Sequence, residues 1–332
     1  MAVMDISGRS AARIRAAVSR VDVQELAVLG GIVILAVALL LGTEGFGTSQ
    51  NLSNVLYSAS VKAIIGIGMT LAIVSGNIDI SVGSATGLIA AIMAKVMLAH
   101  DVPFVILVLI GLVIGALLGC VNGFLVAVLR INPIIATFAT LNIFAFGKQY
   151  VFGNDSQLLG VPSSLRWLGA PGQTLGIPHA WWIVVVLMVV AWLYMECRPN
   201  GRHLYAIGNS SDAARVAGVR VQRRVFGVYV VVGLCVGLAA CCLVGSNSVV
   251  DVSFGSGFEL DVIAGVVIGG TLIFGGRGTV FGTVLGTLLV ALVANAVILF
   301  GLPSGLFPLV TGIAIIVAVM AGVIRERRRA AA

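Results

Sequence analysis

Apolar stretches long enough to cross a bilayer recur from Leu26 to Val323, separated only by short polar or glycine-rich joints. A hydrocarbon core about 30 Å thick takes about 20 helical residues at a rise of about 1.5 Å each, and repeated stretches of that length leave few folds open. The chain is 59% hydrophobic and 10% charged, against about 45–50% and about 25% in soluble domains. A water-soluble core has no room for so much apolar surface, so lipid is the expected solvent.

The stretches run over Leu26–Leu41, Leu56–Val74, Val82–Ala99, Phe104–Leu129, Ile134–Phe152, Trp181–Tyr194, Val225–Val244, Val262–Phe274, Val280–Leu299 and Leu306–Val323. The expected fold is all-α, a polytopic membrane protein of about ten transmembrane helices. Those near Val82 and Val262 are short enough to be broken or re-entrant. The first follows a basic segment as a signal peptide would, but no clean small-residue cleavage site comes after it, so it reads as an uncleaved span. Residues 1–25 form a cytoplasmic N-terminal segment, 26–323 the membrane domain and 324–332 a basic cytoplasmic tail.

Charge placement supports this layout. The net charge is +7, and lysine and arginine collect in cytoplasmic loops. With the N-terminus cytoplasmic, ten spans put Arg130, the loop 197–224, Arg277 and the tail Arg325–Arg329 inside. The opposite loops keep Glu44, Asp155 with Arg166, and Asp251, Glu259 and Asp261. Basic character therefore reads as orientation rather than nucleic-acid binding, and Lys62 and Lys148 are expected to snorkel towards the outer face.

The 42 glycines are costly in soluble helices but let membrane helices approach closely. Two glycine-rich joints stand out, Ser75–Ser84 and Gly269–Gly278, each linking two apolar stretches with almost no polar loop. Paired interruptions of this kind flank substrate sites in many transporters, though tight turns look the same. The five cysteines lack metal-ligand spacing, and the histidines are isolated.

Polar residues inside the spans are expensive and face the bundle interior. Asn122, Thr137, Thr140, Asn142, Asn247 and Asn295 therefore either bond neighbouring helices or line a solute path, and as a set they fit a neutral, hydroxyl-rich solute. Asp79 is the carboxylate expected within a spanning hairpin, as a helix N-cap for the span that follows or as part of the path. No Ser/His/Asp arrangement or carboxylate pair indicates catalysis.

In the long basic loop, Ser210 or Ser211 can cap a short helix with Asp212 in its first turn and Gly218 ending it. Here the sequence resembles a known family. Asp212-Ala213-Ala214 followed by Gly218 is similar to the Glu-Ala-Ala-x-x-x-Gly coupling loop of ATP-binding-cassette importer permeases, with Asp in place of Glu. Gly76–Ser84 resembles the Gly-Gly-Ile-Asp-Leu-Ser-Val-Gly-Ser signature of ribose- and xylose-type permeases, and Glu259–Gly270 with Gly275–Thr279 their late signature. The resemblance runs from about Leu56 to the C-terminus. Asn77 departs from it, standing where sugar permeases have Gly and where the autoinducer-2 branch has a similar Asn-Ile-Asp.

The resemblance implies a permease subunit of a sugar importer in a bacterial inner membrane. ATP and Mg belong to a separate ATPase that docks on Asp212, Ala213, Ala214, Arg215 and Gly218; this chain holds no cofactor or metal and is not itself an enzyme. It further implies a second permease subunit, identical or not, surrounding membrane lipid, and a periplasmic or extracellular binding protein that could meet Asp251, Glu259 and Asp261. The sequence has no Gly-x-x-x-x-Gly-Lys-Ser/Thr phosphate loop. Autoinducer-2 import is the alternative cargo. An ion-coupled secondary sugar transporter is the alternative of a different class, and it calls for buried charges, of which Asp79 is the one expected.

Overall fold

The computed structural model describes residues 23–169, 173–247, 249–303 and 305–313, together with residues 316 and 320. The expected basic tail and most of the N-terminal segment lie outside these residues. So does part of the last apolar stretch, of which 306–313 are helical.

Helices dominate. They are α1 (Val23–Gly42), α2 (Ser49–Val74), α3 (Val82–Ala99), α4 (Phe104–Gly123), α5 (Pro133–Phe152), α6 (His179–Trp192), α7 (Pro199–Asn209), α8 (Ser211–Val216), α9 (Val221–Gly245), α10 (Phe258–Ile268) and α11 (Val280–Leu299). A wider helical turn extends α4 through Val128 and another extends α6 through Cys197. With those turns included, seven helices among the described residues are long and apolar enough to cross a membrane: α1, α2, α3, α4, α6, α9 and α11.

The remaining expected spans differ for physical reasons. Helix α5 has 20 residues, but Asn142, Lys148 and Gln149 dilute its apolar character. The stretch expected over Val262–Phe274 is helical only in part. Helix α10 starts earlier, at Phe258, and stops at Ile268 after 11 residues, about 16 Å and too short to cross. Gly269 and Gly270 end it, and the chain then turns through Thr271–Thr279 before α11.

Helix α2 is the central post: every residue from Ala59 to Val74 is buried, Ser60, Lys62 and Thr70 included. Around it, glycines set the helix spacing. Gly111, Gly115 and Gly119 recur every four residues on α4, against Gly233 and Gly237 of α9. A methyl group on Gly115 would strike the Gly233 carbonyl, and one on Gly237 the Gly111 carbonyl. Gly265 of α10 and Gly269 just beyond its end meet Gly286 and Gly282 of α11 in the same way. Backbones in direct contact maximise dispersion where lipid offers no hydrophobic drive between helices.

Two small antiparallel sheets complete the described chain. Strand β1 (Gln157–Leu159) pairs with β4 (Val249–Asp251) in the register Gln157↔Asp251. Strand β2 (Gln173–Thr174) pairs with β3 (Ile177–Pro178). The β1–β4 pair ties the ends of α5 and α9 together, at the opposite end of the bundle from α7 and α8. From β4 the chain descends between helices: Gly83 of α3 abuts Gly255 and Glu259, and Gly87 abuts Phe254.

Candidate functional site

The break between α2 and α3 carries the densest buried polar cluster. Asp79 is 3% exposed. Its Oδ1 accepts the Ser81 backbone N–H at 2.9 Å and the Ser81 hydroxyl at 2.6 Å. Its Oδ2 accepts the Asn122 amide at 3.0 Å, and that amide also donates to Ser81 Oγ at 2.8 Å. Thr140 closes the network by donating to Asn122 Oδ1 at 2.7 Å, with the Thr137 carbonyl as its second acceptor at 3.2 Å. Three helices and one break are joined through fully partnered groups, which is what burial demands.

The expected N-cap role of Asp79 needs correction. Ser81 holds the N-cap position of α3, without a side-chain cap bond, and Asp79 sits two residues earlier. Its carboxylate closes a local turn and accepts from α4 instead. The cavity beside it, lined by Asp79, Ser81, Asn122 and Phe144 among others, holds about one water-sized volume. No sugar ring fits there.

The other polar residues do not join this cluster. Asn142 is exposed on the outer face of α5, its amide donating back to the Phe138 carbonyl at 2.8 Å. Asn247 is exposed beyond α9 and bonds Leu243 and Ser246 locally. Asn295 exchanges two bonds with Asn51, at 3.1 and 2.7 Å, linking α11 to α2. Asn77 turns its amide back onto Ser75, at 2.9 Å to the carbonyl and 3.2 Å to the hydroxyl. It shapes the turn.

Of the acidic residues expected on an outer docking face, Asp261 is turned inward. Asp261 accepts from Lys62 at 2.6 Å, with side chains 13% and 8% exposed. Lys62 stands halfway along α2 and also lies over the Phe258 and Phe307 rings. Asp251 is half-buried and accepts from Ser253. Glu259 is half-buried beside Gly83. Lys148 is likewise buried and donates to the Phe254 carbonyl at 3.2 Å. Asp79 is therefore not the sole buried charge. Phe254 and Gly255 lie against Gly87 and Gly83 of α3, and no apolar periodicity signals that approach.

The loop helix takes the form its residues dictate. Ser210 accepts the Ala213 N–H at 3.2 Å as N-cap of α8, and Asp212 occupies the first turn. Gly218, at φ +85°, donates its N–H to the Arg215 carbonyl and ends the helix. Asp212, Ala213, Arg215 and Gly218 are exposed, whereas Ala214 is buried against Ile207, Val225 and Tyr229. Val216, which the motif does not mark, is 91% exposed. An isolated valine in a charged loop was the available signal. Behind α8, burial and then the Glu196 carboxylate push the Tyr205 phenol above its usual range.

A short capped helix thus projects an apolar tip from a bundle of membrane-length helices. Comparison with known proteins gives it a context. Residues 51–319 match the family described as "Branched-chain amino acid transport system / permease component". The chain belongs to this permease family. The ribose import permease RbsC of Escherichia coli K12 is 34% identical over 293 residues, covering 87% of this chain and 90% of the relative. RbsC of Bacillus subtilis 168 is 34% identical over 298 residues, covering 90% and 92%. The D-allose transport system permease protein AlsC of E. coli K12 is 31% identical over 263 residues, covering 79% and 80%. No solved structure matches. The permease is thus a multi-pass membrane protein of a sugar-import family, and its buried polar cluster and exposed helix are to be read as parts of a transporter.

Proposed function

We propose that the permease is the membrane subunit of an ATP-driven importer for a sugar or similar polyhydroxylated solute. ATP and Mg are held by a separate ATPase that seats on α8, and a soluble binding protein delivers solute at the end marked by β1 and β4. Both termini and the α7–α8 loop are cytoplasmic in this reading, and about ten helical segments make up the membrane domain. The observation that carries it is α8 itself, capped, exposed and tipped by Val216, on a loop whose arginines favour the cytoplasmic side.

The solute path runs between two permease copies. The water-sized cavity at Asp79 supports this, since one chain offers no room for a sugar there. The outer face of α5 also supports it: Asn142 is exposed among Phe138, Ile143, Phe146 and Tyr150, and an amide is costly against lipid but useful on a wet seam. Ribose and allose head the candidate cargoes because of the relatives, and autoinducer-2 presents similar hydroxyl chemistry.

The test is purification of the tagged permease from its own membrane in mild detergent, with its partners identified by mass spectrometry. An ATPase should co-purify. Val216→Asp should cut its recovery about tenfold while the permease yield is unchanged, because Val216 has almost no contacts to lose. Gly218→Pro should abolish transport with insertion intact, since proline fits neither φ +85° nor the bond to Arg215. A permease that purifies alone and accumulates ribose under an ion gradient overturns the reading in favour of the secondary transporter.

A further inference from the structure

The two glycine-rich breaks and the α7–α8 loop meet at one place, and they meet through backbone. The Gly276 N–H donates to the Val74 carbonyl at 2.9 Å, joining the second break to the end of α2. Gly208, the penultimate residue of α7, presses into that junction. A methyl group there would strike both the Val74 carbonyl and the Gly276 nitrogen. From the other side, a Cβ on Gly275 would lie 2.9 Å from Gly76 N and 3.1 Å from Gly208 Cα. Gly76, Gly275 and Gly276 all have positive φ, at 75°, 90° and 77°, so glycine is required for conformation as well as for space.

Side chains fasten the same junction from its rim. Tyr205 donates its hydroxyl to the Gly278 carbonyl at 3.1 Å. The Asn209 amide donates to the Tyr205 carbonyl at 3.0 Å, while its oxygen lies where a Gly276 side chain would be. The next residue, Ser210, is the cap of α8. On the far side, Gly76 is three residues before Asp79, and Tyr229 holds the intervening Ile78 carbonyl at 3.1 Å.

We propose that Gly208, Gly76 and Gly275–Gly276 form a backbone joint that transmits movement of α8 to both glycine-rich breaks at once, which makes Gly208 a positioning residue for transport. The inference rests on the importer reading. Side-chain contacts absorb small shifts by changing rotamer, whereas backbone in direct contact has no such slack. A tilt of α8 is carried through Ser210 and Asn209 into α7. It then displaces the end of α2 with the Asp79 turn on one side and the Thr271–Thr279 turns with the start of α11 on the other. One input therefore reaches the buried polar network and the half-length helix α10 together.

The experiment is hydrogen–deuterium exchange on the assembled permease–ATPase complex, with and without ATP and vanadate. In the wild type, trapping should change exchange in residues 211–217 and, with it, in 74–81 and 269–279. In Gly208→Ala the response of 211–217 should persist, while the response of the two breaks falls about tenfold. Basal exchange separates this from a merely structural role, which would raise exchange without nucleotide and leave the nucleotide response in place. Breaks that respond equally in the variant, or not at all in the wild type, overturn the joint. If Gly208→Ala does not assemble, Tyr205→Phe removes one fastening without adding volume. It should then reduce the response at 269–279 about threefold, and an unchanged response overturns the proposal. A wild-type permease that brings no ATPase defeats the importer reading itself, and the co-purification step tells the two failures apart.

Discussion

Helix α8 and the buried polar interior use the same residue types under opposite conditions. On α8, Asp212 and Arg215 approach to 3.5 Å with side chains 86% and 58% exposed, and water screens the pair until it contributes almost nothing. Inside the bundle, Lys62 and Asp261 approach to 2.6 Å nearly out of solvent, and Asp79 spends both oxygens on Ser81 and Asn122. Losing a partner costs little in the first setting and much in the second, because a buried charge left alone keeps its full desolvation penalty. Substitutions on α8 should therefore leave the fold intact, whereas those in the interior should not.

The largest effect should come from the ion pair. Lys62→Met strands the Asp261 carboxylate and should destabilise the permease by about 3–5 kcal/mol in reversible unfolding in detergent. The double variant Lys62→Met/Asp261→Leu should recover most of that loss. Equal instability of the single and double variants would mean that packing around Phe258 and Phe307, rather than charge, holds this region.

A middle effect is expected at Asp79. Asp79→Ala leaves the Ser81 and Asn122 donors without their acceptor and should cost about 2 kcal/mol. Asp79→Asn keeps the turn to Ser81 but sets its amide against the Asn122 amide, so it should cost about 1 kcal/mol, less than Asp79→Ala. If Asp79→Asn folds normally and yet transports nothing, the carboxylate charge itself belongs to the path or gate.

The smallest effect should be Ser210→Ala. Loss of the cap weakens α8 by about 1 kcal/mol, visible as faster amide exchange over 211–216 with global unfolding unchanged. A drop in global stability would show that α8 is part of the cooperative core and would erase the contrast drawn above.

How far the sequence could be read follows the same division. A cap at Ser210 or Ser211, Asp212 in the first turn and Gly218 at the end of α8 were legible because each acts within its own turn of helix; the structure chose Ser210. The 42 glycines likewise announced close packing, though not which helices would meet. The Asp79 network was legible only in part. Asp79, Asn122, Thr137 and Thr140 were each marked as costly in lipid, but nothing local separated them from Asn142, Asn247 and Asn295, which the fold sends elsewhere. Val216 escaped notice because its exposure depends on how α8 sits on Val225 and Tyr229.

The sequence by itself determined the solvent, the approximate positions of the helices and the family. These depend on apolar length, charge placement and short motifs, all properties of contiguous residues. Only the tertiary structure decided that the chain from β4 descends into the bundle, that α10 is a half-length helix, that Lys62 finds Asp261 across 199 positions, and that Gly208 closes on both glycine-rich breaks. Those contacts join residues far apart along the chain, and a contact of that kind has no signature until helix packing brings its two sides together.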